Sequence, residues 1–183
     1  MGNPDDYEDV HEQPRVRPDP ALGLLEIYDV ALPQVYGYLL SRSRNRTLAQ
    51  DLTAETFLAA VTVARQQPTP PITTGWLVGV ARHKLADHWR RTEREERGLR
   101  LVHAATQAAE DPWDAEIDAV VAHQVLGALG SHHRAALTLR YLDGLPVAQV
   151  AEHLGRTVHA TEALLVRARA AFRAAYENPE GVR

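Results

Sequence analysis

Hydrophobic residues recur at intervals of three and four along most of the chain, which is the spacing of helices with one buried face. In the first half, this pattern predicts helices over residues 25–39, 47–65 and 75–97. Pro33 lies inside the first of them, where it can introduce a kink. The proline-rich segment 66–74 is predicted to be a stiff loop. Because no segment alternates apolar and polar residues with a period of two, we expect an all-α fold.

The second half predicts four shorter helices separated by glycine-containing turns. They cover residues 117–129, 131–142, 147–154 and 158–176. The last two have the dimensions of a helix-turn-helix. Gly155 stands where a left-handed residue ends a helix, and Thr157 can cap the next one. We therefore expect a second helical domain that contains this motif.

Composition divides the chain into domains and connecting segments. Residues 1–20 are rich in proline and acidic side chains and predict a disordered tail. Residues 101–116 are acidic and alanine-rich and predict a flexible linker. The predicted domains are therefore 21–100 and 117–177, followed by a short tail at 178–183.

The net charge of −4 conceals an uneven distribution. The first twenty residues alone carry a net −4, and residues 103–118 carry five carboxylates without a basic side chain. The remainder of the chain is therefore net positive by five charges. This basic remainder is compatible with a nucleic-acid partner.

Several classes of function are excluded by composition. Without cysteine, the chain has no disulfide framework, thiolate metal site or cysteine nucleophile. It contains neither a signal peptide pattern nor an apolar run long enough to span a membrane, which suggests a cytoplasmic protein. The nine histidines lack metal-binding spacing, and the adjacent pair His132 and His133 points to different sides of a helix. We expect no metal, no cofactor and no catalytic chemistry.

The terminal predicted helix has one face for packing and one for a partner. The packing face contains Val158, Thr161, Leu165, Ala168, Phe172 and Ala175. The opposite face contains His159, Glu162, Ala163, Val166, Arg167, Arg169 and Arg173. This second set is a candidate recognition surface for a DNA major groove and its phosphates. The alternative is an ordinary solvated helix face.

The third predicted helix combines positive charge with tryptophan. Its candidate DNA-binding residues are Trp76, Arg82, His83, Lys84, Arg90, Arg91 and Arg94, with Trp89 nearby. Such a surface suits the backbone and the unstacked bases of an opened strand. The alternative is that both tryptophans belong to the core and the charges are merely solvated.

Three segments resemble the extracytoplasmic-function (ECF) sigma factors, the two-domain specificity subunits of bacterial RNA polymerase. LAQDLTAETFLAA at 48–60 is similar to the family's core-binding helix, and GWLVGVARHKLADHWRR at 75–91 is similar to its WLxxIARNxxxDxxRR segment. Residues 126–172 resemble the family's helix-turn-helix domain. The resemblance extends over residues 24–174 and keeps the family's order of segments.

The resemblance implies a role for each segment. Asp51, Ala54, Glu55 and Leu58 face the β′ clamp helices of core RNA polymerase, and their spacing alone places them on one stripe. The loop 66–74 and the basic residues of the third helix hold the opened minus-ten element. The minus-thirty-five element is then contacted by Arg140, Thr157, His159, Glu162, Ala163, Val166, Arg167 and Arg169. The acidic linker either follows the RNA path of the polymerase or is a simple spacer.

Four positions depart from the family pattern. His83 replaces a common asparagine, and Pro146 replaces a serine cap. Glu162 and Leu164 replace a lysine and an arginine of the recognition helix. We therefore expect weak or unusual recognition of the minus-thirty-five element, because two cations are lost there.

The sequence thus predicts a sigma factor that binds core RNA polymerase, including its β flap, and melts promoter DNA at the minus-ten element. Because no further domain follows Arg183, we expect its control by a separate anti-sigma factor. Two alternatives remain open. One is a helix-turn-helix regulator that acts without polymerase, and the other is a helical scaffold that binds no DNA.

Overall fold

The structure, a computed structural model, describes residues 22–66, 68, 70–99 and 118–178. Seven helices and one π-helical turn occupy these ranges, without a strand, which confirms the all-α prediction. They are α1 (Leu22–Ser43), α2 (Arg46–Ala64), α3 (Thr74–Leu99), α4 (Ala119–Ala128), α5 (Ser131–Leu137), the π turn (Thr138–Leu142), α6 (Val147–Leu154) and α7 (Val158–Glu177). The predicted tail at 1–20 and the predicted linker at 101–116 lie outside the described residues.

The first three helices pack mutually into one group. Their periodic apolar residues meet in its centre, where Leu39, Leu77 and Leu85 are fully buried. Helix α1 continues through Pro33. A short connection follows α1, and Asn45 caps α2 by accepting a hydrogen bond from the Leu48 amide at 3.0 Å. Burial of these apolar residues thus determines which faces of α2 and α3 remain exposed.

The second group is formed by α4 to α7, with α7 packed against α4, α5 and α6. Helix α6 ends at Gly155, whose φ of 61° and ψ of 40° lie in the left-handed region. Thr157 caps α7 by accepting a hydrogen bond from the Ala160 amide at 3.1 Å. The predicted helix-turn-helix is therefore present in α6 and α7, with the expected chemistry at its turn.

The segment predicted as a single helix over residues 131–142 changes its winding halfway. Helix α5 ends at Leu137 and the chain continues as a π-helical turn. The Asp143 amide donates to the Thr138 carbonyl at 3.0 Å, which closes the wide turn. Wider turns of this kind displace the residues that follow them and are frequent at functional sites. Here the turn ends directly before Asp143.

The two helical groups also pack on each other through α3, which contacts both α5 and α6. A single cluster of buried apolar side chains extends from Leu85 and Trp89 of the first group to Leu139, Leu154 and Leu164 of the second. Sequence periodicity predicts two helical domains but not this shared core. The side chains of α3 that meet the second group, such as Arg82 and Glu93, are consequently only partly exposed.

None of the helices in the described part of the chain is both long and apolar enough to cross a membrane.

Candidate protein and nucleic-acid interfaces

One face of α2 combines acidic and apolar side chains at the surface. Asp51, Ala54, Glu55 and Leu58 are all exposed, and Leu58 is 67% exposed. The opposite face of α2 is buried in the three-helix group. The structure therefore brings the four residues predicted for a core-polymerase contact onto one accessible stripe. An exposed leucine one turn away from a carboxylate is a surface suited to a protein partner.

Side chains of α1 and α3 contact α2 near this stripe. Tyr28 packs edge-on against Phe57, with 5.0 Å between ring centroids, and Leu25 is 66% exposed beside them in sequence. Lys84 of α3 lies 3.2 Å from the Glu55 carboxylate. Lys84, which was predicted to contact DNA, thus pairs with a residue predicted to contact polymerase. Both groups are partly exposed, so this pair is weak and exchangeable.

The two tryptophans of α3 differ in exposure. Trp89 is 3% exposed and belongs to the core, so it cannot stack on a base. Trp76 lies in the first turn of α3 and is half-buried against the same core. Its backbone amide donates to Thr73 Oγ1 at 3.1 Å, which caps the helix. Only Trp76 therefore retains part of an aromatic surface for a ligand.

The basic side chains of α3 divide between two faces. Arg91 and Arg94 are exposed. In contrast, Arg82 and Arg90 are half-buried against the second helical group, and His83 is exposed although its ring packs on a histidine of that group. The Arg82 Nε atom is 3.4 Å from Asp143, and the His83 ring lies 4.3 Å from the His153 ring between centroids. The structure therefore does not gather all predicted minus-ten residues on one open surface.

The recognition helix α7 largely presents the residues predicted for it. Thr157, His159, Glu162, Ala163, Arg167 and Arg169 are exposed, and Val166 is half-buried. Arg169 donates to the Tyr141 hydroxyl at 3.1 Å. Thr161, Leu165 and Ala168 are buried as predicted, whereas Val158 is 46% exposed. The expected packing role of Val158 is therefore wrong, because the first turn of α7 extends beyond the core.

Leu164 corrects a second expectation about α7. Its side chain is 1% exposed and packs in the shared core. A side chain at this position points away from any DNA bound on the outer face. Its departure from the family pattern therefore removes no cation from the recognition surface, and only Glu162 changes the charge there.

Arg140 and Arg134 stabilise the second helical group from inside. Arg140 Nη1 donates to the Leu145 carbonyl at 2.9 Å, which holds the loop before α6. The Arg134 guanidinium donates to the carbonyls of Leu126, Gly127 and Leu129 at the end of α4. These bonds satisfy acceptors that a helix end leaves unpaired. Arg140 was predicted to contact DNA, and in this structure one of its donors is committed to the loop.

Asp143 forms a site that the sequence analysis missed. Its side chain is only 1% exposed. The Tyr38 hydroxyl donates to Asp143 Oδ2 at 2.7 Å, and Arg42 Nε donates to Oδ1 at 3.1 Å. Arg82 adds a second positive charge 3.4 Å from Oδ2. Burial, followed by the Asp143 charge, raises the pKa of Tyr38 far above its ordinary value, so the phenol remains protonated.

A second polar contact joins the groups further along α3. The Glu93 carboxylate pairs with Arg156 of the helix-turn-helix and also with Arg97. Ser131 at the start of α5 donates to Glu96 Oε2 at 2.9 Å. Two acidic residues of α3, Glu93 and Glu96, therefore hold the second helical group.

Three histidines of the second group, His132, His133 and His153, have lowered pKa values that favour the neutral form. Burial, with contributions from His132 and Arg167, lowers the pKa of His133 to about 4. Burial and then His83 lower the pKa of His153, whose Nδ1 atom is buried without a hydrogen-bond partner. Within the described ranges, no three His, Asp or Glu side chains are grouped so that they could hold a metal ion.

Comparison with known protein families gives two matches in the order of the two helical groups. The Sigma-70 region 2 family matches residues 27–95, and the Sigma-70, region 4 family matches residues 120–172. The first match contains the α2 stripe and the basic face of α3. The second contains the helix-turn-helix.

Two curated proteins are similar to the chain. The ECF RNA polymerase sigma factor SigM of Bacillus subtilis is 30% identical over 154 residues, which cover 82% of this chain and 93% of SigM. The ECF RNA polymerase sigma factor BldN of Streptomyces coelicolor is 31% identical over 147 residues, which cover 78% of this chain. The chain spans 56% of the length of BldN.

A solved structure has a related fold. It is the co-crystal structure of the sigma factor RpoE in complex with the anti-sigma factor NepR from Bartonella quintana. The match covers 85% of this chain and 98% of the solved chain, with a TM-score of 0.50 and 19% sequence identity. At this identity, the similarity concerns the fold alone.

Proposed function

Because the chain belongs to the ECF sigma factors of bacterial RNA polymerase, we propose that it binds core polymerase and directs it to a specific set of promoters. Sigma factors are transcription initiation factors, and the chemistry of RNA synthesis is left to the polymerase. We accordingly propose that this chain performs no catalysis and acts in the cytoplasm with the transcription machinery.

The exposed stripe on α2 carries this proposal. Asp51, Ala54, Glu55 and Leu58 lie within the matched region 2 and are accessible together. The β′ clamp helices of the polymerase are the partner that the family resemblance assigns to this surface. The exposed leucine gives such a contact an apolar part, and the two carboxylates on the preceding turns give it charges that fix its orientation.

The basic part of α3 is proposed to bind the opened minus-ten element. Arg91 and Arg94 are accessible and can contact phosphates, while Trp76 offers a partial stacking surface. The exposed His83 and the half-buried Arg82 and Arg90 extend this surface toward the second helical group.

The outer face of α7 is proposed to bind the duplex minus-thirty-five element. Thr157 and His159 lie at its amino-terminal end, where recognition helices contact base edges. Arg167 and Arg169 lie further along and are placed to contact phosphates. Glu162 either repels phosphate or accepts a hydrogen bond from a cytosine N4 amine.

An anti-sigma protein is proposed as the regulatory partner, as the family resemblance implies. The RpoE structure with a similar fold was itself obtained with an anti-sigma factor bound. An acidic and apolar α2 stripe needed for polymerase is an effective target for such a partner, because binding there excludes the polymerase.

The proposal is tested by co-migration with bacterial core RNA polymerase in size-exclusion chromatography. Asp51→Arg and Glu55→Arg each reverse a charge on the α2 stripe, and we expect each to weaken binding about tenfold or more. Glu177→Arg makes the same change on an exposed residue at the end of α7 and should bind like the wild type.

Two results would overturn the proposal: absence of co-migration for the wild type, or equal binding by all three variants. The first result together with tight binding to duplex DNA would instead favour a polymerase-independent helix-turn-helix regulator, for which the exposed face of α7 suffices.

A further inference from the structure

The π turn places an exposed tyrosine beside the recognition helix α7. Within this turn Thr138 and Leu139 are buried, whereas Tyr141 is 54% exposed. The Asp143 amide donates to the Thr138 carbonyl, and the Leu145 amide donates to the Leu139 carbonyl, both at 3.0 Å. These bonds hold the wide turn in a conformation that keeps the Tyr141 side chain outside the core.

The Tyr141 hydroxyl is bonded to a cation on the outer face of α7. Arg169 Nη1 donates to this hydroxyl at 3.1 Å. Arg169 follows Glu162 by seven residues, or about two helical turns, so both exposed side chains lie on one face of α7. Tyr141 therefore borders the face proposed to bind duplex DNA, yet it is not among the residues that the family resemblance assigns to DNA.

Arg140 brings a second guanidinium to the same tyrosine. Its Cζ atom lies 5.9 Å from the centroid of the Tyr141 ring, near the outer limit of a cation–π contact. Its Nη1 atom donates to the Leu145 carbonyl at 2.9 Å, which holds the guanidinium in place. Because a guanidinium has five N–H donors, this bond leaves further donors on Arg140.

The positive charges on either side of Tyr141 are not neutralised by acidic neighbours. Carboxylates pair with Arg42, Arg82 and Arg156, whereas no carboxylate in the described part of the chain pairs with Arg140 or Arg169. Two such charges beside one exposed ring attract an anion, and the planar guanidinium matches the geometry of a phosphate.

We propose that Tyr141 is a positioning residue, which holds Arg169, beside Arg140, in place to bind a backbone phosphate of duplex DNA. This inference deepens the proposed contact between α7 and the minus-thirty-five element, and it rests on that contact. A long arginine side chain loses conformational freedom when it binds. The hydrogen bond from Arg169 to Tyr141 orders the side chain beforehand, so less freedom is lost on binding DNA.

The site is tested by fluorescence anisotropy with the full chain, without polymerase, on a fluorescein-labelled duplex. Because phosphate contacts do not depend on base sequence, a mixed-sequence duplex of about 20 base pairs suffices. Arg169→Ala should weaken binding about fivefold and reduce the salt dependence by about one phosphate contact. Tyr141→Phe, which removes only the hydroxyl, should weaken binding about threefold.

A double-mutant cycle separates positioning from a general structural role. In the Arg169→Ala background, Tyr141→Phe should change the affinity by less than about 1.5-fold, because the side chain that it positions is absent. The urea midpoint of Tyr141→Phe should match that of the wild type, since both bonded groups are exposed.

Tyr28→Phe is the matched control, because it removes a hydroxyl from an exposed tyrosine of α1. It should bind the duplex like the wild type. Wild-type affinity in Tyr141→Phe or in Arg169→Ala, or absence of duplex binding by the wild type, would overturn the proposal. An equal loss from Tyr141→Phe in both backgrounds would overturn the positioning role.

Failure of this inference and failure of the sigma-factor proposal are distinguishable. Polymerase takes no part in the duplex measurements, and Tyr141 and Arg169 lie outside the α2 stripe. Co-migration with polymerase combined with additive effects of the two substitutions would overturn the positioning role alone. Loss of co-migration combined with the predicted coupling would overturn the sigma-factor function and leave a duplex-binding protein with this phosphate site.

Discussion

Glu162 is exposed on the outer face of α7, between residues placed to contact bases and arginines placed to contact phosphates. A carboxylate at this position opposes the field that draws the helix into the major groove. Leu164, two residues further along, is buried and contributes nothing to that field. A single substitution of Glu162 therefore tests how the charge of this proposed recognition surface affects DNA binding.

Glu162→Lys should strengthen promoter binding by the assembled holoenzyme. The change removes one negative charge and adds one positive charge, so we expect about a three- to tenfold gain in affinity and a salt dependence steeper by about one phosphate contact. Fluorescence anisotropy on a promoter fragment over a series of salt concentrations measures both quantities.

Glu177→Lys is the control for this experiment, because it makes the same charge change at the far end of α7. Unchanged affinity and salt dependence in Glu162→Lys would contradict the placement of this residue against DNA. A loss of affinity would indicate that the carboxylate accepts a hydrogen bond from a base.

The stability of the short helix α5 should depend on pH because it carries two half-buried histidines. It packs between α3 and α7 and carries His132 and His133 at its start. Burial lowers the pKa of both rings, and Arg167 of α7 adds to the effect on His133, whereas Glu93 of α3 opposes it. The folded state therefore favours neutral imidazoles.

Acidification should destabilise the packing of α5. The pKa of His133 is about 4 in the folded chain, against 6.5 for an unperturbed histidine, so the unfolded chain takes up the proton first as the pH falls. The stabilisation is complete above about pH 6.5 and decreases progressively down to about pH 4. Urea midpoints measured between about pH 7.5 and 4.5 should show this decrease.

His133→Gln supplies the comparison, because glutamine does not titrate. Its urea midpoint should vary less with pH than that of the wild type over the same interval. An identical pH dependence in both proteins would contradict the burial of a neutral His133.

Among the individual elements, the spacing of hydrophobic residues predicted most helices but not the transition from α5 into the π turn. Leu139 continues the apolar spacing of a regular helix, so the pattern alone contains no signal for the change in winding. The helix-turn-helix was predictable because Gly155 and Thr157 have specific conformational and capping roles. The α2 stripe was predictable because helical geometry fixes which residues share a face.

For the whole molecule, the packing of the two helical groups could not be predicted from local patterns. Tyr38 and Asp143 are separated by 105 positions, and nothing in the spacing of either residue identifies the other. Both lie in segments whose local signals indicate only a helix and a turn. Local patterns likewise could not predict that Arg91 and Arg94 are exposed whereas Arg82 and Arg90 are half-buried against the second helical group.

The proposed function distributes the contacts over the whole molecule, with the polymerase contact on the exposed face of α2 and the promoter contacts on α3 and α7. On α3, Arg91 and Arg94 are exposed, whereas Arg82 and Arg90 are half-buried against the second helical group.

The central claim is tested most directly by transcription from genomic DNA of the source bacterium with purified core RNA polymerase, followed by sequencing of the RNA 5′ ends. We predict a limited set of start sites that require this protein, share upstream minus-thirty-five and minus-ten sequences, and disappear with Asp51→Arg. Start sites identical to those of core polymerase alone would contradict the claim that this chain directs promoter-specific initiation.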